Sequence, residues 1–159
     1  MSETGFLRIT PMTAADLAAV MALELENPSP WGEQQLTSEL AQETGWQWLA
    51  RQPETGAVIG YIIGRSMAGE AEILRLATAA AQRCRGVAQA LLAHALAQLC
   101  TRGTTACFLE VRAANSTALH LYTKNGFTIA GTRKNYYTAP MEDAVVMTKL
   151  LRQPEGVST

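Results

Sequence analysis

Apolar residues along this chain recur with two spacings. Alternation or a short apolar run, the mark of a strand, covers residues 6–10, 46–51, 57–65, 71–78, 105–112, 127–133 and 143–151. Helical spacing appears after the capping residue Thr13 through Leu23, over 32–42 with Leu36 and Leu40 on one face, over 84–102, and over 115–125. The 84–102 segment carries Val87, Leu91, Leu92, Ala95, Leu96 and Leu99 as one apolar stripe and stops before Gly103. Breakers separate the segments: Asn27-Pro28-Ser29-Pro30 ends the first helix, Pro53-Glu54-Thr55-Gly56 turns a hairpin, and Gly126 closes the helix capped by Asn115. The order is strand, two helices, three strands, helix, strand, helix, two strands. This predicts a mixed α/β (α+β) class with a central sheet of about seven strands and four helices. The last two strands are expected to be joined by a long segment over 134–142.

At 159 residues the chain is expected to form a single domain over 1–152, with a loose tail over 153–159. With 48% hydrophobic and 17% charged residues and a formal net charge of −1, it has the balance of a globular protein and no bulk drive toward nucleic acid. No apolar run reaches the roughly 18–20 residues of a membrane span, and no signal-peptide layout opens the chain. A cytoplasmic protein without membrane or direct nucleic-acid partners is therefore expected. Cys84, Cys100 and Cys107 form no C-x-x-C pair, so they are expected to stay reduced. His94 and His120 lack a second ligand at metal spacing, and no metal is expected.

The chemistry concentrates where the strand ending Ile73-Leu74-Arg75-Leu76-Ala77-Thr78 runs into the third helix through Arg83-Cys84-Arg85-Gly86-Val87-Ala88-Gln89. A helix start offers backbone N–H groups without intrahelical partners and roughly half a positive charge. Gly86 and Ala88 allow close approach, and Arg83 and Arg85 add cationic side chains, so the junction suits a pyrophosphate. Leu76, Ala77 and Thr78 could offer backbone hydrogen bonds to a strand-like ligand arm. Glu110 sits in a strand, on the face of Phe108 and Arg112; a salt bridge to Arg112 or another cation would explain it as well as catalysis would. Tyr122 lies seven residues after Asn115, on the same helix face and about 10.5 Å along the axis.

The element order and the junction together resemble the GNAT superfamily of acyl-CoA-dependent N-acyltransferases. Its signature Q/R-x-x-G-x-G/A is matched by Arg83, Gly86 and Ala88. Further segments are similar to its RimI-type branch, which acetylates protein N-termini: Pro30-Trp31, the run from Leu109 to Asn115, Ala118-Leu119-His120-Leu121-Tyr122, Asn125-Gly126-Phe127, Arg133-Lys134-Asn135-Tyr136-Tyr137 and Glu142-Asp143-Ala144. The resemblance implies the GNAT fold and acetyl-CoA as co-substrate. It implies Glu110 as general base and Tyr122 as general acid, with Leu76, Ala77, Thr78, Arg83, Cys84, Arg85, Gly86, Val87, Ala88, Gln89 and Asn115 at the cofactor. Trp31, Tyr136 and Tyr137 are expected to line the acceptor groove. The implied acceptor is a protein N-terminus; the best-known target of that branch is the eighteenth small-subunit ribosomal protein. The segment Ala79-Ala80-Ala81-Gln82 departs from the acidic, proline-containing turn usual there, as do Cys84 and Arg85 within the signature. A GNAT enzyme for small amines, or a coenzyme A-binding module without turnover, stays open at this point.

Overall fold

The computed structural model describes residues 7–27, 29–138 and 140–151. Seven strands form one sheet in the order β1-β2-β3-β4-β5-β7-β6. They are β1 (Arg8–Pro11), β2 (Gly45–Arg51), β3 (Val58–Met67), β4 (Glu70–Thr78), β5 (Ala106–Arg112), β6 (Thr128–Thr138) and β7 (Met141–Leu150). Four helices accompany them: α1 (Leu17–Glu24), α2 (Glu33–Ala41), α3 (Val87–Thr101) and α4 (Ser116–Lys124). The fold class and element order are those expected from the apolar spacing. Phe6 and the 153–159 tail lie outside the described residues. Among the described residues no helix is long and apolar enough to cross a membrane.

The chain divides into two compact units, Met1–Arg65 with Arg75–Ala95, and Ser66–Leu74 with Leu96–Thr159. In the first, β1, β2 and β3 pair antiparallel. Met12, Val20, Leu36, Leu49, Tyr61 and Ile63 form its buried cluster, with Leu17, Leu40 and Trp31 packed against it. A short 3-10 turn, Ala14–Asp16, leads into α1, and the Asp16 carboxylate accepts from the Thr13 N–H at 2.9 Å, tying off an orphan donor of the helix start. Gly60 on β3 is a packing device. A Cβ there would stand 2.9 Å from Val87 Cγ1, 3.0 Å from the Ala77 carbonyl oxygen and 3.1 Å from Leu91 Cδ1.

In the second unit the parallel β4–β5 ladder runs from Glu70↔Ala106 to Ile73↔Leu109. Leu76, Ala77 and Thr78, at the end of β4, belong to the first unit. β5 pairs antiparallel with β7 over its whole length, and its alternation is regular, with Cys107, Leu109 and Val111 buried. α4 is capped as expected: the Asn115 side chain accepts from the Ala118 N–H at 3.1 Å, and Gly126 follows the helix at φ +93°.

Two boundaries differ from the sequence reading. α3 begins at Val87 rather than near Cys84, because Cys84 (φ +65°) and Gly86 (φ +82°) take left-handed conformations that a right-handed helix cannot contain. The expected 134–142 connection is mostly strand, since β6 runs to Thr138 and β7 starts at Met141. Tyr136 and Tyr137 favour extended backbone. The ladder shifts register between Arg133 and Tyr137, where Asn135 has φ +50°, a local irregularity that reads as a break in the sequence.

Candidate active site

The junction in the first unit is built by three successive backbone features. β4 ends at Thr78, a single 3-10 turn covers Ala80–Gln82, and the left-handed Cys84 and Gly86 swing the chain into α3. The Gly86 carbonyl accepts from the Ala90 N–H at 2.9 Å, so helix geometry gives the Val87 and Ala88 amides no intrahelical acceptor. Arg83, Cys84 and Arg85 are all exposed beside this end. Thr78 contributes an orphan: its Oγ1 is buried and has no hydrogen-bond partner. An unpaired buried hydroxyl costs free energy unless a ligand satisfies it. The orphan, the amides and the cations fit a phosphate-bearing, amide-rich co-substrate of the acetyl-CoA type.

In the second unit the sequence-predicted side chains gather around β5 and the β6–β7 hairpin. Glu110 Oε2 forms an ion pair with Arg133 Nε at 3.0 Å; the cation is therefore Arg133 and not Arg112. Arg112 instead donates to the Pro140 carbonyl at 3.1 Å, lies 3.4 Å from Glu142 Oε1, and places its Cζ 4.2 Å from the Tyr137 ring centre. Glu142 also accepts from the Ala114 N–H at 2.5 Å, which holds the start of the α4 turn. Tyr136 and Tyr137 meet edge to face, with ring centres 5.2 Å apart, and Arg133 stacks over Tyr136 at 5.6 Å. Burial and the charge of Glu110 raise the Tyr137 hydroxyl above its ordinary value of 10.0, outweighing Arg112.

Tyr122 is buried on α4, its ring edge to face with Phe127 at 5.5 Å. Burial, with smaller contributions from Cys107 and Tyr137, pushes its hydroxyl far above 10.0. It stays protonated across the physiological range. The Asn115 side-chain oxygen caps α4. Burial pushes the Cys107 thiol up to about 12, so this thiol is inert, and no disulfide joins Cys84, Cys100 or Cys107. His94 packs edge to face on Trp48 at 5.2 Å, and burial lowers its pKa. Among the described residues no group of three or more His, Cys, Asp or Glu is arranged to hold a metal.

Trp31, in the first unit, is half-buried, with Arg75 Cζ 4.9 Å from its ring centre. Its backbone N–H donates to Glu24 Oε1 at 2.6 Å. Sequence reasoning gave Glu24, Arg75 and Arg133 no place in the site. The signal for Arg75 was present, as a cation inside the apolar run from Ile73 to Ala77; Glu24, fully buried at the end of α1, looks in sequence like any solvated helix-end carboxylate.

Residues 17–127 match the Acetyltransferase (GNAT) family. The chain is 32% identical over 143 residues to the [Ribosomal protein bS18]-alanine N-acetyltransferase of Escherichia coli K12, covering 87% of this chain and 94% of that protein. The crystal structure of the ribosomal-protein-S18-alanine N-acetyltransferase from Escherichia coli superposes with a TM-score of 0.86 at 29% identity, covering 96% of this chain and 99% of the other. Ard1 from Thermoplasma volcanium shares the fold, with a TM-score of 0.85 at 24% identity over 93% of this chain and 99% of that one. The chain belongs to the GNAT family of acetyltransferases and is an N-acetyltransferase.

Proposed function

We propose that the protein transfers the acetyl group of acetyl-CoA to the α-amino group at the start of a protein, a ribosomal protein in the first instance, and does so in the cytoplasm. The observation that carries this reading is the 32% identity to a ribosomal-protein N-terminal acetyltransferase across 94% of that relative. The junction amides of Val87, Ala88 and Gln89, with Arg83, Cys84, Arg85 and Gly86, hold the pyrophosphate. Leu76, Ala77 and Thr78 pair with the pantetheine arm, with a further polar contact from Asn115.

The reaction requires a neutral amine. An α-amino group with a pKa near 7.7–8.0 needs only about 1 kcal/mol to lose its proton at pH 7, against about 4.6 for a lysine near 10.4. A single carboxylate suits the first task. Glu110 takes the proton through water, the amine attacks the thioester carbon, and a backbone N–H of the β4 end polarises the carbonyl oxygen. As the carbon–sulfur bond breaks, Tyr122 donates to the departing thiolate and later regains a proton from solvent. With its pKa far above that of an ordinary thiol, near 8.5, Tyr122 gives up this proton uphill. Its contribution therefore begins as a hydrogen bond to charge developing on sulfur. Trp31, Tyr136 and Tyr137 line the acceptor's path.

The test is a panel of Ala-starting peptides and free small amines, read by coenzyme A release, alongside mass spectrometry of protein N-termini in cells with and without the gene. Acetylated peptides and a ribosomal N-terminus that loses its acetyl group on deletion are expected. Robust turnover of free amines with none on peptides would overturn the reading.

A further inference from the structure

The reaction leaves unused a polar cluster at the end of α1. Glu24 is fully buried, and its carboxylate accepts from the Trp31 N–H at 2.6 Å, Asn27 Nδ2 at 3.1 Å, Arg75 Nη2 at 2.7 Å and the Tyr61 hydroxyl. The same Arg75 Nη2 donates to the Ser29 carbonyl at 2.6 Å, while the guanidinium carbon sits 4.9 Å from the Trp31 ring centre. Two residues past Glu24, the Glu26 carboxylate accepts from the Ala80 N–H at 2.8 Å. The connection between α1 and α2 is thereby fastened to β4 and to the turn that follows it.

Stability alone gives little reason for such a device. A buried ion pair replaced by apolar side chains of similar volume is often neutral or stabilising, and the neighbours of Arg75 on β4 are apolar. What the pair supplies is geometry. A planar guanidinium stacks on a ring with its face while its edge donates to a carboxylate and a carbonyl in one fixed geometry; an ammonium is a point charge on a flexible stem and fixes no such arrangement. Arg75 Nε is itself buried without a partner, so the side chain is held by the Nη2 bonds and the ring contact, which are the interactions that reach the 25–31 segment.

We infer that Arg75 is a positioning residue for the acceptor: by gripping Glu24, the Ser29 carbonyl and the Trp31 ring together, it sets where Trp31 stands. The inference rests on the reading of Trp31 as part of the path for a peptide N-terminus. Arg75 touches neither acetyl group nor amine, and its effect falls on acceptor binding.

The discriminating variant is Arg75→Lys, which keeps the charge beside Glu24 and loses the stacked fork. Glu24→Gln combined with Arg75→Met removes both charges and guards against a variant that fails to fold. For each, the expected result is an acceptor KM raised by about tenfold or more for an Ala-starting peptide, with kcat at saturation and acetyl-CoA affinity within about twofold. In a Trp31→Ala background, Arg75→Lys should add nothing, because the path of action is already gone. Unchanged peptide KM, or parallel loss for both substrates with a lower melting temperature, overturns the inference. If Trp31→Ala raises peptide KM while Arg75→Lys does not, the positioning role alone fails. A wild type that acetylates no peptide overturns the functional reading, and this inference falls with it.

Discussion

Glu110 and Arg133 face each other with 3.0 Å between Oε2 and Nε, so the carboxylate of β5 rests against a cation delivered by β6. The arginine side chain is 58% exposed and the glutamate 15%. At such exposure the pair contributes at most about 1 kcal/mol to stability, little enough for the carboxylate to exchange its counter-ion, as the proposed mechanism needs. Glu110→Gln should lower kcat by about 10²- to 10⁴-fold with acetyl-CoA affinity unchanged by calorimetry. Arg133→Ala should shift the unfolding free energy by less than about 1 kcal/mol in denaturant titration. A Glu110→Gln enzyme with wild-type turnover would remove Glu110 from the chemistry.

Tyr122 tests the other end of the proposed proton path. Tyr122→Phe deletes one hydroxyl and leaves the edge-to-face contact with Phe127 in place. Turnover should fall by about 10²-fold or more while the melting temperature stays within a few degrees. Loss of activity accompanied by general destabilisation would mark the tyrosine as packing.

How much of this was legible in the sequence depends on the range of the interaction. α4 was, because the Asn115 cap, the apolar spacing and Gly126 are local signals. The faces of β5 were, because alternation fixes them. The start of α3 was not, since nothing local says that a cysteine will adopt φ +65°. The Glu24–Arg75 pair spans 51 positions and the Glu110–Arg133 pair joins strands that are not sheet neighbours. Such pairings exist only once the sheet order is known. The resemblance to a family supplied the roles of Glu110 and Tyr122; spacing alone left them as an ion pair and a core tyrosine.

Gly86 carries the junction at φ +82°. An alanine there would hold a left-handed conformation at a cost of roughly 1–2 kcal/mol, and a glutamate would add a negative charge where the phosphates are expected. Gly86→Glu should abolish acetyl-CoA binding in calorimetry, and Gly86→Ala should weaken it while lowering stability. Equal acetyl-CoA affinity for wild type and Gly86→Glu would refute the phosphate site.

The paired carboxylates of Glu24 and Asp16 set the response to acid. Burial acts to raise the Glu24 carboxyl, but its hydrogen bonds from Arg75, Tyr61 and the Trp31 N–H outweigh it and hold the group below its ordinary 4.5. Asp16 behaves alike: burial is overcome by Arg51 and Thr13, leaving it below 3.8. Each folded value is lower than the unfolded one, so the unfolded chain takes up protons first as pH drops. The stability these groups contribute is fully present above about pH 4.5 and is lost as pH falls through their folded values. Unfolding free energies measured across acid pH should decline more shallowly for Glu24→Gln than for wild type. Equal slopes would show that Glu24 titrates alike in both states.

Gly60 links core packing to the junction. Its missing Cβ leaves room for Val87, the first residue of α3, and for the Ala77 carbonyl oxygen at the β4 end. Gly60→Ala puts a methyl group within 2.9 Å of Val87 Cγ1 and 3.0 Å of that oxygen. The valine methyl can turn away, but the backbone oxygen yields only if β4 moves. Overpacking of this kind costs about 1–3 kcal/mol, and the strain falls on the two segments proposed to bind acetyl-CoA. Gly60→Ala should therefore lower both the melting temperature and acetyl-CoA affinity. Adding Val87→Ala should restore some stability by clearing the methyl contact, yet leave the affinity low, because the clash with the Ala77 carbonyl oxygen remains. Recovery of both properties together would show that the helix contact alone matters.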